Sequence, residues 1–232
     1  MPSANLPRTS FTFGGQRFVA LPDRALYWPQ QRALIVADLH FEKGSAFAAN
    51  GQHLPPYDSH DILSRLLILA EQSQAQQIFC LGDSFHDRNA AARMAPDLSG
   101  RLSALAAERH ICWIAGNHDG LSGSAWGGSI ADEILLNGIV LRHESLAHES
   151  RPEISGHYHP KLRFSVHGRT LSRPCFLINE KRLMLPAFGS LAGGMDVHNA
   201  EIMRLFDQND CQAMIVADEK LLHFPVKQRR QP

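Results

Sequence analysis

The chain lacks the features that mark membrane proteins and nucleic-acid coat proteins. No apolar run in its 232 residues approaches the roughly 20 residues needed to cross a bilayer. Residues 1–10 contain no apolar signal core, so we expect a cytoplasmic protein with no membrane partner. Basic and acidic side chains balance at 23 each, which argues against a high-affinity nucleic-acid coat. An enzyme that touches nucleic acid only briefly is not excluded.

Cysteine is scarce, whereas histidine is abundant. The four cysteines lie far apart, with no C-x-x-C pair, so a zinc ribbon is not expected. The thirteen histidines are more than a core or a surface needs, and several stand at the ends of apolar runs. This composition favours a metal site of another kind.

The first half of the chain alternates between two patterns. Continuous apolar runs at 33–37, 78–81 and 111–114 predict strands that are buried on both faces. Apolar residues at helical spacing predict helices over 58–76, with Asp58 or Ser59 as N-cap, and over 95–109. The sequence therefore predicts parallel strands connected by helices.

The remainder of the chain favours strands. Residues 18–21 and 26–28 predict a short hairpin, and the chain beyond residue 130 predicts short strands at 134–136, 139–142, 154–155, 162–166, 176–178, 183–185 and 214–216. No repeat, low-complexity tract or linker interrupts the sequence, so we expect residues 1–232 to form a single domain. The fold class is α/β, sandwich-like, with helices on the outside.

Polar clusters follow the apolar runs. They are Asp38-x-His40, Gly82-Asp83, Gly116-Asn117-His118-Asp119, Gly156-His157-Tyr158-His159 and the single residue His143. Ligands in open α/β sheets bind outside the carboxyl ends of the strands, where these clusters fall. Imidazole nitrogens with carboxylate or amide oxygens, and without thiolate, suit manganese, iron or zinc. Two such metals about 3.5–4 Å apart can clamp both oxygens of a phosphoryl displacement.

Each cluster alone has a simpler interpretation. A Gly-Asp pair after a strand is usually a turn, and His143 alone would be a structural histidine. The pair His157 and His159 is a better signal, because an extended H-x-H segment directs both rings to one face. Solvated loops do not explain four such clusters in this order. Together they predict a metal centre.

The ordered motifs resemble those of the calcineurin-like metallophosphoesterase superfamily, over residues 33–192. The resemblance implies a four-layer double β-sandwich flanked by helices. It also implies side chains that hold two divalent metal ions: Asp38, His40 and His159 at one, Asn117, His143 and His157 at the other, and Asp83 bridging.

The resemblance further implies a mechanism. The metals lower the pKa of a bridging water, and the resulting hydroxide attacks phosphorus in line. Asn117 helps to hold the nonbridging oxygens. His118, which is not a ligand, is the general acid that protonates the leaving alkoxide.

A histidine three residues after Asp83 points to a branch of the superfamily. The run Gly82-Asp-Ser-Phe-His86 resembles the DNA-repair nucleases, in which this histidine assists the catalytic one. His86 would then assist His118; the alternative is a surface histidine beside Asp87.

The runs 38–44 and 186–194 are similar to those of the bacterial ligase-associated DNA damage response endonucleases (PdeM type). That family implies a manganese-dependent phosphodiesterase and endonuclease in DNA repair. It implies single-stranded DNA as substrate, and association with an ATP-dependent DNA ligase and a helicase.

Several interpretations stay open. Lys43 and Arg88 are candidate substrate contacts or ordinary solvated charges. The glycines of 189–194 allow either a close backbone approach to substrate or a plain loop. The same centre would also serve a small-molecule or lipid-precursor phosphoesterase or pyrophosphatase, although no apolar helical cap is evident. A metal-stabilised scaffold without catalysis is a third hypothesis, opposed by the retention of Asp83 and His118.

Overall fold

A computed structural model describes residues 9–52, 57–117, 122–206 and 210–227. Within these ranges two large β-sheets stack face to face. His118 and Asp119 of the predicted Gly-Asn-His-Asp cluster lie outside the described residues.

The first sheet contains the predicted buried strands. Its strands, in spatial order, are β1 (Ser10–Phe13), β2 (Gln16–Ala20), β3 (Leu26–Trp28), β4 (Ala33–Val36), β5 (Gln77–Leu81), β6 (His110–Ile114) and β7 (Ser129–Ala131). Pairing is antiparallel from β1 to β4 and parallel from β4 to β7. Every residue of β4 is buried, as its continuous apolar run predicts.

Helices cover the outer face of this sheet. They are α1 (Lys43–Ala49), α2 (Asp58–Gln72), α3 (Ala90–Arg93) and α4 (Pro96–Glu108). The apolar stripes of α2 and α4 pack on the sheet in one core cluster, which is why their spacing is helical. The predicted N-cap of α2 is wrong: its cap position is Tyr57, without a side-chain cap. Asp58 and Ser59 instead accept backbone N–H groups at the start of α1.

The second sheet comes from the later part of the chain. Its elements are β8 (Glu133–Leu136), β9 (Ile139–Arg142), β10 (Glu153–Ser155), β13 (Phe176–Ile178), β14 (Arg182–Met184), β15 (Gln212–Ala217) and β16 (Lys220–Pro225), in the order β16-β15-β13-β14-β10-β9-β8. Strand β10 runs parallel to both β9 and β14. Strands β11 (Lys161–Val166) and β12 (Arg169–Pro174) form a separate hairpin, and α5 (Ala200–Met203) follows β14.

Three apolar clusters hold the layers together. One lies between α2, α4 and the first sheet, one between the two sheets, and one on the outer face of the second sheet beneath α5. The layers are therefore helix, sheet, sheet and a thin outer layer with α5. This confirms the predicted α/β double β-sandwich with flanking helices. In the described part of the chain, no helix has the length and apolarity to span a membrane.

Candidate metal centre

The polar clusters converge on one edge of the sandwich. Strands β4, β5 and β6 are parallel neighbours, so their carboxyl ends meet at the same edge. Strands β9 and β10 are parallel in the second sheet. The side chains that follow these five strands are Asp38, Asp83, Asn117, His143 and His157.

The first group of candidate ligands consists of Asp38, His40 and His159, whose ligand atoms lie within 4.8 Å of one another. The Nε2 atoms of the two histidines are 3.4 Å apart. His159 Nε2 lies 3.3 Å from Asp38 Oδ1. Asp38 is fully buried, and its carboxylate also accepts the backbone N–H of His157 at 2.9 Å. Asp38 therefore contacts residues of both groups.

The second group consists of Asp83, His143 and His157, again with ligand atoms within 4.8 Å of one another. His143 Nε2 lies 3.0 Å from His157 Nδ1 and 3.6 Å from Asp83 Oδ2. The amide nitrogen of Asn117 is 3.5 Å from His157 Nδ1, which places the predicted amide beside the same group.

The chemistry of these donors fits divalent cations. His143 Nδ1 is 3.0 Å from the carbonyl oxygen of Leu81. Because a carbonyl only accepts, Nδ1 carries the proton and the Nε2 lone pair faces His157 and Asp83. Such a backbone acceptor behind a histidine is the usual orienting contact of a metal ligand. Burial lowers the pKa of His157, which favours the neutral, ligating imidazole. The two groups could hold two divalent ions.

The backbone around the candidate ligands is unusual. Asp38, His40, Asp83, His157 and His159 all have positive φ, between 45° and 71°, where side chains other than glycine are uncommon. The expectation of an extended His-x-His segment is therefore wrong. The bent loop sends His157 to one group and His159 to the other. Strained backbone of this kind persists where surrounding contacts fix it, as at functional sites.

Glycines of the motifs allow ligand side chains to approach the backbone. A Cβ at Gly82 would lie 2.3 Å from His143 Nδ1, and one at Gly156 would lie 2.5 Å from Asp38 Oδ2. A side chain at either position would force the neighbouring ligand to move. The Gly-Asp and Gly-His pairs of the sequence thus reflect packing against ligands that come from elsewhere in the chain.

The glycine-rich run after β14 makes a close approach, but to the protein itself. Phe188 and Gly189 donate backbone N–H groups to the carbonyls of Ala37 and Asp38, at 2.8 and 3.1 Å. A Cβ at Gly189 would lie 2.3 Å from the carbonyl oxygen of Leu39. At Gly189 this run supports the backbone of the first metal motif.

Two arginines, which no sequence motif marks, donate hydrogen bonds to the loop after β14. Arg24 Nη1 donates to the carbonyls of Ala187 (3.2 Å) and Gly189 (3.3 Å). Arg65 Nη2 donates to the Phe188 carbonyl and to Ser190 Oγ, both at 3.0 Å. The partners are more than a hundred positions apart in the chain, so no local pattern marks them.

His86 lies close to the first group, Lys43 is half-buried, and Arg88 is exposed. The His86 ring centroid is 6.3 Å from that of His40, and the side chain is partly buried. Lys43 is half-buried at the start of α1; burial lowers its pKa, and Asp58 partly opposes the shift. Arg88 is solvent-exposed. Because His118 lies outside the described residues, the assistance of His118 by His86 stays a prediction.

A buried ionic network lies behind His143. Arg142, the preceding residue, pairs with Glu133 at 2.7 Å and with Glu149 at 3.0 Å. Glu153, almost fully buried, pairs with Arg182 at 3.0 Å. Buried charges persist only when paired in this way. The network fixes the end of β9 from which His143 projects.

The sequence matches a known protein family. Residues 31–209 match the model of the calcineurin-like phosphoesterases. The chain belongs to this family, which confirms the superfamily resemblance, and it is a phosphoester hydrolase. Members of the family use two divalent metals, in agreement with the two candidate groups. No curated protein matches the sequence.

The chain is similar to several solved structures, and a nuclease is among them. The nuclease MPE of Pseudomonas putida has 30% sequence identity and a TM-score of 0.70, over 89% of this chain and 95% of the nuclease. A protein of unknown function from Aquifex aeolicus, AQ665, matches at 22% identity and a TM-score of 0.36, over 49% of this chain and 60% of its own. Yfce, a phosphoesterase from E. coli, matches at 15% identity and a TM-score of 0.41. The match covers 84% of this chain and 99% of Yfce.

Proposed function

We propose that the protein is a dinuclear-metal phosphodiesterase that acts as an endonuclease on single-stranded DNA. The observation that carries the proposal is the pair of adjacent histidine–carboxylate groups at one edge of the sandwich, with Asp38 in contact with both. The similarity to a nuclease over 89% of the chain supports DNA as the substrate, and so does His86 beside the first group.

In this proposal, the side chains divide between two ions. Asp38, His40 and His159 would hold one ion, Asn117, His143 and His157 would hold the other, and Asp83 would be shared between them. Manganese is the proposed metal, and iron and zinc also suit this donor set. When bound, the ions supply an activated water and neutralise charge on the phosphate.

The other side chains act on the substrate. His118 donates a proton to the leaving alkoxide, a role typically worth about 10²- to 10⁴-fold in rate. His86 assists His118, and the Asn117 amide orients a nonbridging phosphate oxygen. Lys43 and Arg88 attract phosphates beside the scissile one. Lys43 is partly buried and Arg88 is exposed, so both side chains have access to solvent.

A role in DNA repair and association with an ATP-dependent DNA ligase and a helicase stay predictions from the resemblance, and a cytoplasmic location stays a prediction from the sequence. Pull-down of the tagged protein with each purified candidate partner tests the association directly. Loss of viability after DNA damage in a strain without the protein tests the repair role.

The test measures cleavage of circular single-stranded DNA in the presence of Mn²⁺. A phosphomonoester serves as the second substrate, and the wild type is compared with the His118→Ala variant on both. We expect the closed circle to be cut by the wild type and the rate to fall by about 10²- to 10⁴-fold in the variant. Hydrolysis of the monoester with intact circles would contradict the proposal and favour a small-molecule or lipid-precursor phosphoesterase.

A further inference from the structure

Helix α1 presents two side chains on one face beside the metal centre. It begins shortly after His40, and two of its small residues, Gly44 and Ala46, are buried. Lys43 and Phe47 are four positions apart, so they lie on the same side of the helix, and both are only partly buried. This side of the helix is open to solvent, and the His86 ring lies between Phe47 and His40 of the first group.

A row of rings leads from the first group to this helix. The centroids of His159 and His40 are 5.2 Å apart, those of His40 and His86 are 6.3 Å apart, and those of His86 and Phe47 are 5.7 Å apart. Within the described part of the chain, Phe47 is a member of none of the three apolar core clusters. Its ring is therefore placed by His86 rather than by the core.

Contacts from α2 and α3 hold α1 in place. Asp58 Oδ2 accepts the N–H of Gly44, and Ser59 Oγ accepts the N–H of Glu42, both at 2.8 Å. Arg93 Nε donates to Ser45 Oγ at 3.1 Å. These bonds pre-organise the exposed face of the helix, which lowers the entropy lost when a ligand binds there.

We propose that Phe47 and His86 form a stacking surface for a nucleobase adjacent to the scissile phosphate, with Lys43 in contact with a neighbouring phosphate. The inference rests on the proposed function and names the substrate feature that this site recognises. Aromatic rings beside a cationic side chain are the usual elements of single-strand binding, because every unpaired base has an exposed π-face. Bases within a duplex are stacked on each other, so this surface selects single strands.

The test compares two substrates that differ only in their bases. One is an oligothymidylate, and the other is an oligonucleotide of the same length with abasic residues. We measure kcat/KM with Mn²⁺ on both for the wild type and for Phe47→Ala, Phe47→Leu and Phe47→Trp. Stacking predicts that the preference for the base-bearing substrate falls by roughly 5- to 150-fold in Phe47→Ala. Leucine restores little of the preference, and tryptophan restores most of it.

Phe224→Ala is the matched control. Phe224 is also a partly buried aromatic residue, with the ring of Phe164 at 5.8 Å in the described part of the chain. Unlike Phe47, it packs against the third apolar cluster, and it lies on the edge strand β16. The control should keep the wild-type preference for bases.

Three outcomes overturn the inference. The first is an equal loss on both substrates in Phe47→Ala, which would make Phe47 a support for His86. The second is a preference that no Phe47 variant changes. The third is a wild-type enzyme that hydrolyses methyl p-nitrophenyl phosphate but cuts no DNA; this result alone would also refute the proposed function, so the two failures are distinguishable.

Discussion

The guanidinium of Arg65 lies 4.4 Å from the centroid of the Phe188 ring and also donates to the Phe188 carbonyl at 3.0 Å. Asp61 completes the arrangement by accepting from both Arg65 Nε and Ser190 Oγ, at 3.0 and 2.6 Å. The loop held in this way donates two backbone hydrogen bonds to the segment that carries Asp38. A side chain on α2 thus fixes, through one loop, the position of a candidate metal ligand.

Replacing Arg65 should weaken metal binding as well as the fold. Arg65→Met removes hydrogen bonds made by a charged group, each worth about 1.5–3 kcal/mol, and we expect Mn²⁺ affinity to fall by about 10- to 100-fold, as for other supports of metal ligands. Arg65→Lys should be intermediate, because lysine lacks the planar fork. Mn²⁺ titration and thermal unfolding in EDTA measure the two effects.

Arg109→Met is the control for Arg65. The two arginines are equally buried, with side chains 17% and 16% exposed, and Arg109 also bonds a backbone carbonyl and a carboxylate. The control should lower the unfolding temperature and leave Mn²⁺ affinity unchanged. Equal Mn²⁺ affinity in both variants would refute the role of the loop.

A methyl group at position 156 should disturb Asp38. In Gly156→Ala the new Cβ would lie 2.5 Å from Asp38 Oδ2 and 2.7 Å from Ala37 Cβ, so the carboxylate must move. We expect overpacking to cost about 1–3 kcal/mol of stability, and Mn²⁺ affinity to drop. Gly100→Ala is the control, because open space surrounds this helical glycine; it should gain about 0.5–1 kcal/mol in urea unfolding. Wild-type metal affinity in Gly156→Ala would contradict the packing argument.

Asp83→Ala should lose metal, whereas His118→Ala should keep it. An ion at a free concentration of about 100 times its dissociation constant stabilises the folded state by about 2.7 kcal/mol. Mn²⁺ should therefore raise the unfolding temperature of the wild type and of His118→Ala. It should do so much less for Asp83→Ala. Metal content after gel filtration gives a second readout, with Asp97→Ala, an exposed carboxylate 64% accessible, as control. Intact metal content in Asp83→Ala would exclude the bridging role.

The network behind His143 predicts an acid-dependent loss of stability. Hydrogen bonds from Arg151, and then the charges of Arg151 and Arg142, hold the pKa of Glu149 far below its ordinary value. A depressed folded pKa gives stability that is complete above the unfolded pKa of about 4.3 and is lost as the pH falls below it. Glu149→Gln should therefore melt a few degrees lower than the wild type at neutral pH.

The difference between Glu149→Gln and the wild type should shrink as the pH falls through about 4. Glu180→Gln, at an exposed residue before β14, should match the wild type throughout. A melting difference that is independent of pH would assign the effect of Glu149 to packing instead of charge.

The sequence predicts the elements that build the site, because their signals are local. Strands β4, β5 and β6 are buried on both faces, so each is a continuous apolar run, and the polar residues after each run fall at the same edge. Helix α1 gives no such signal, since Lys43–Ala49 has one large apolar side chain and so no repeat of apolar positions. Asp58 and Ser59 on α2 hold this helix, although the sequence pattern predicts one of them as the N-cap of α2.

The bent His157–His159 segment and the supporting arginines also escape local analysis. From the sequence, the His-x-His pair is interpreted as an extended segment, but the backbone N–H of His157 bonds to the carboxylate of Asp38, 119 positions away. Likewise, Arg24 and Arg65 resemble ordinary surface charges until the loop after β14 is in place. Tertiary contacts decide these positions, so they become visible only in the fold.

The Nε2 atoms of His40 and His159, 3.4 Å apart, are separated by 119 positions in the chain. A ribosome that adds about 5–20 residues each second completes Asp38, His40 and Asp83 well before it reaches His143, His157 and His159. The first half of the polypeptide therefore emerges without the second sheet and without three candidate ligands. We expect a copy that stops before His143 to catalyse no hydrolysis, so that activity begins only when the two sheets have closed on each other.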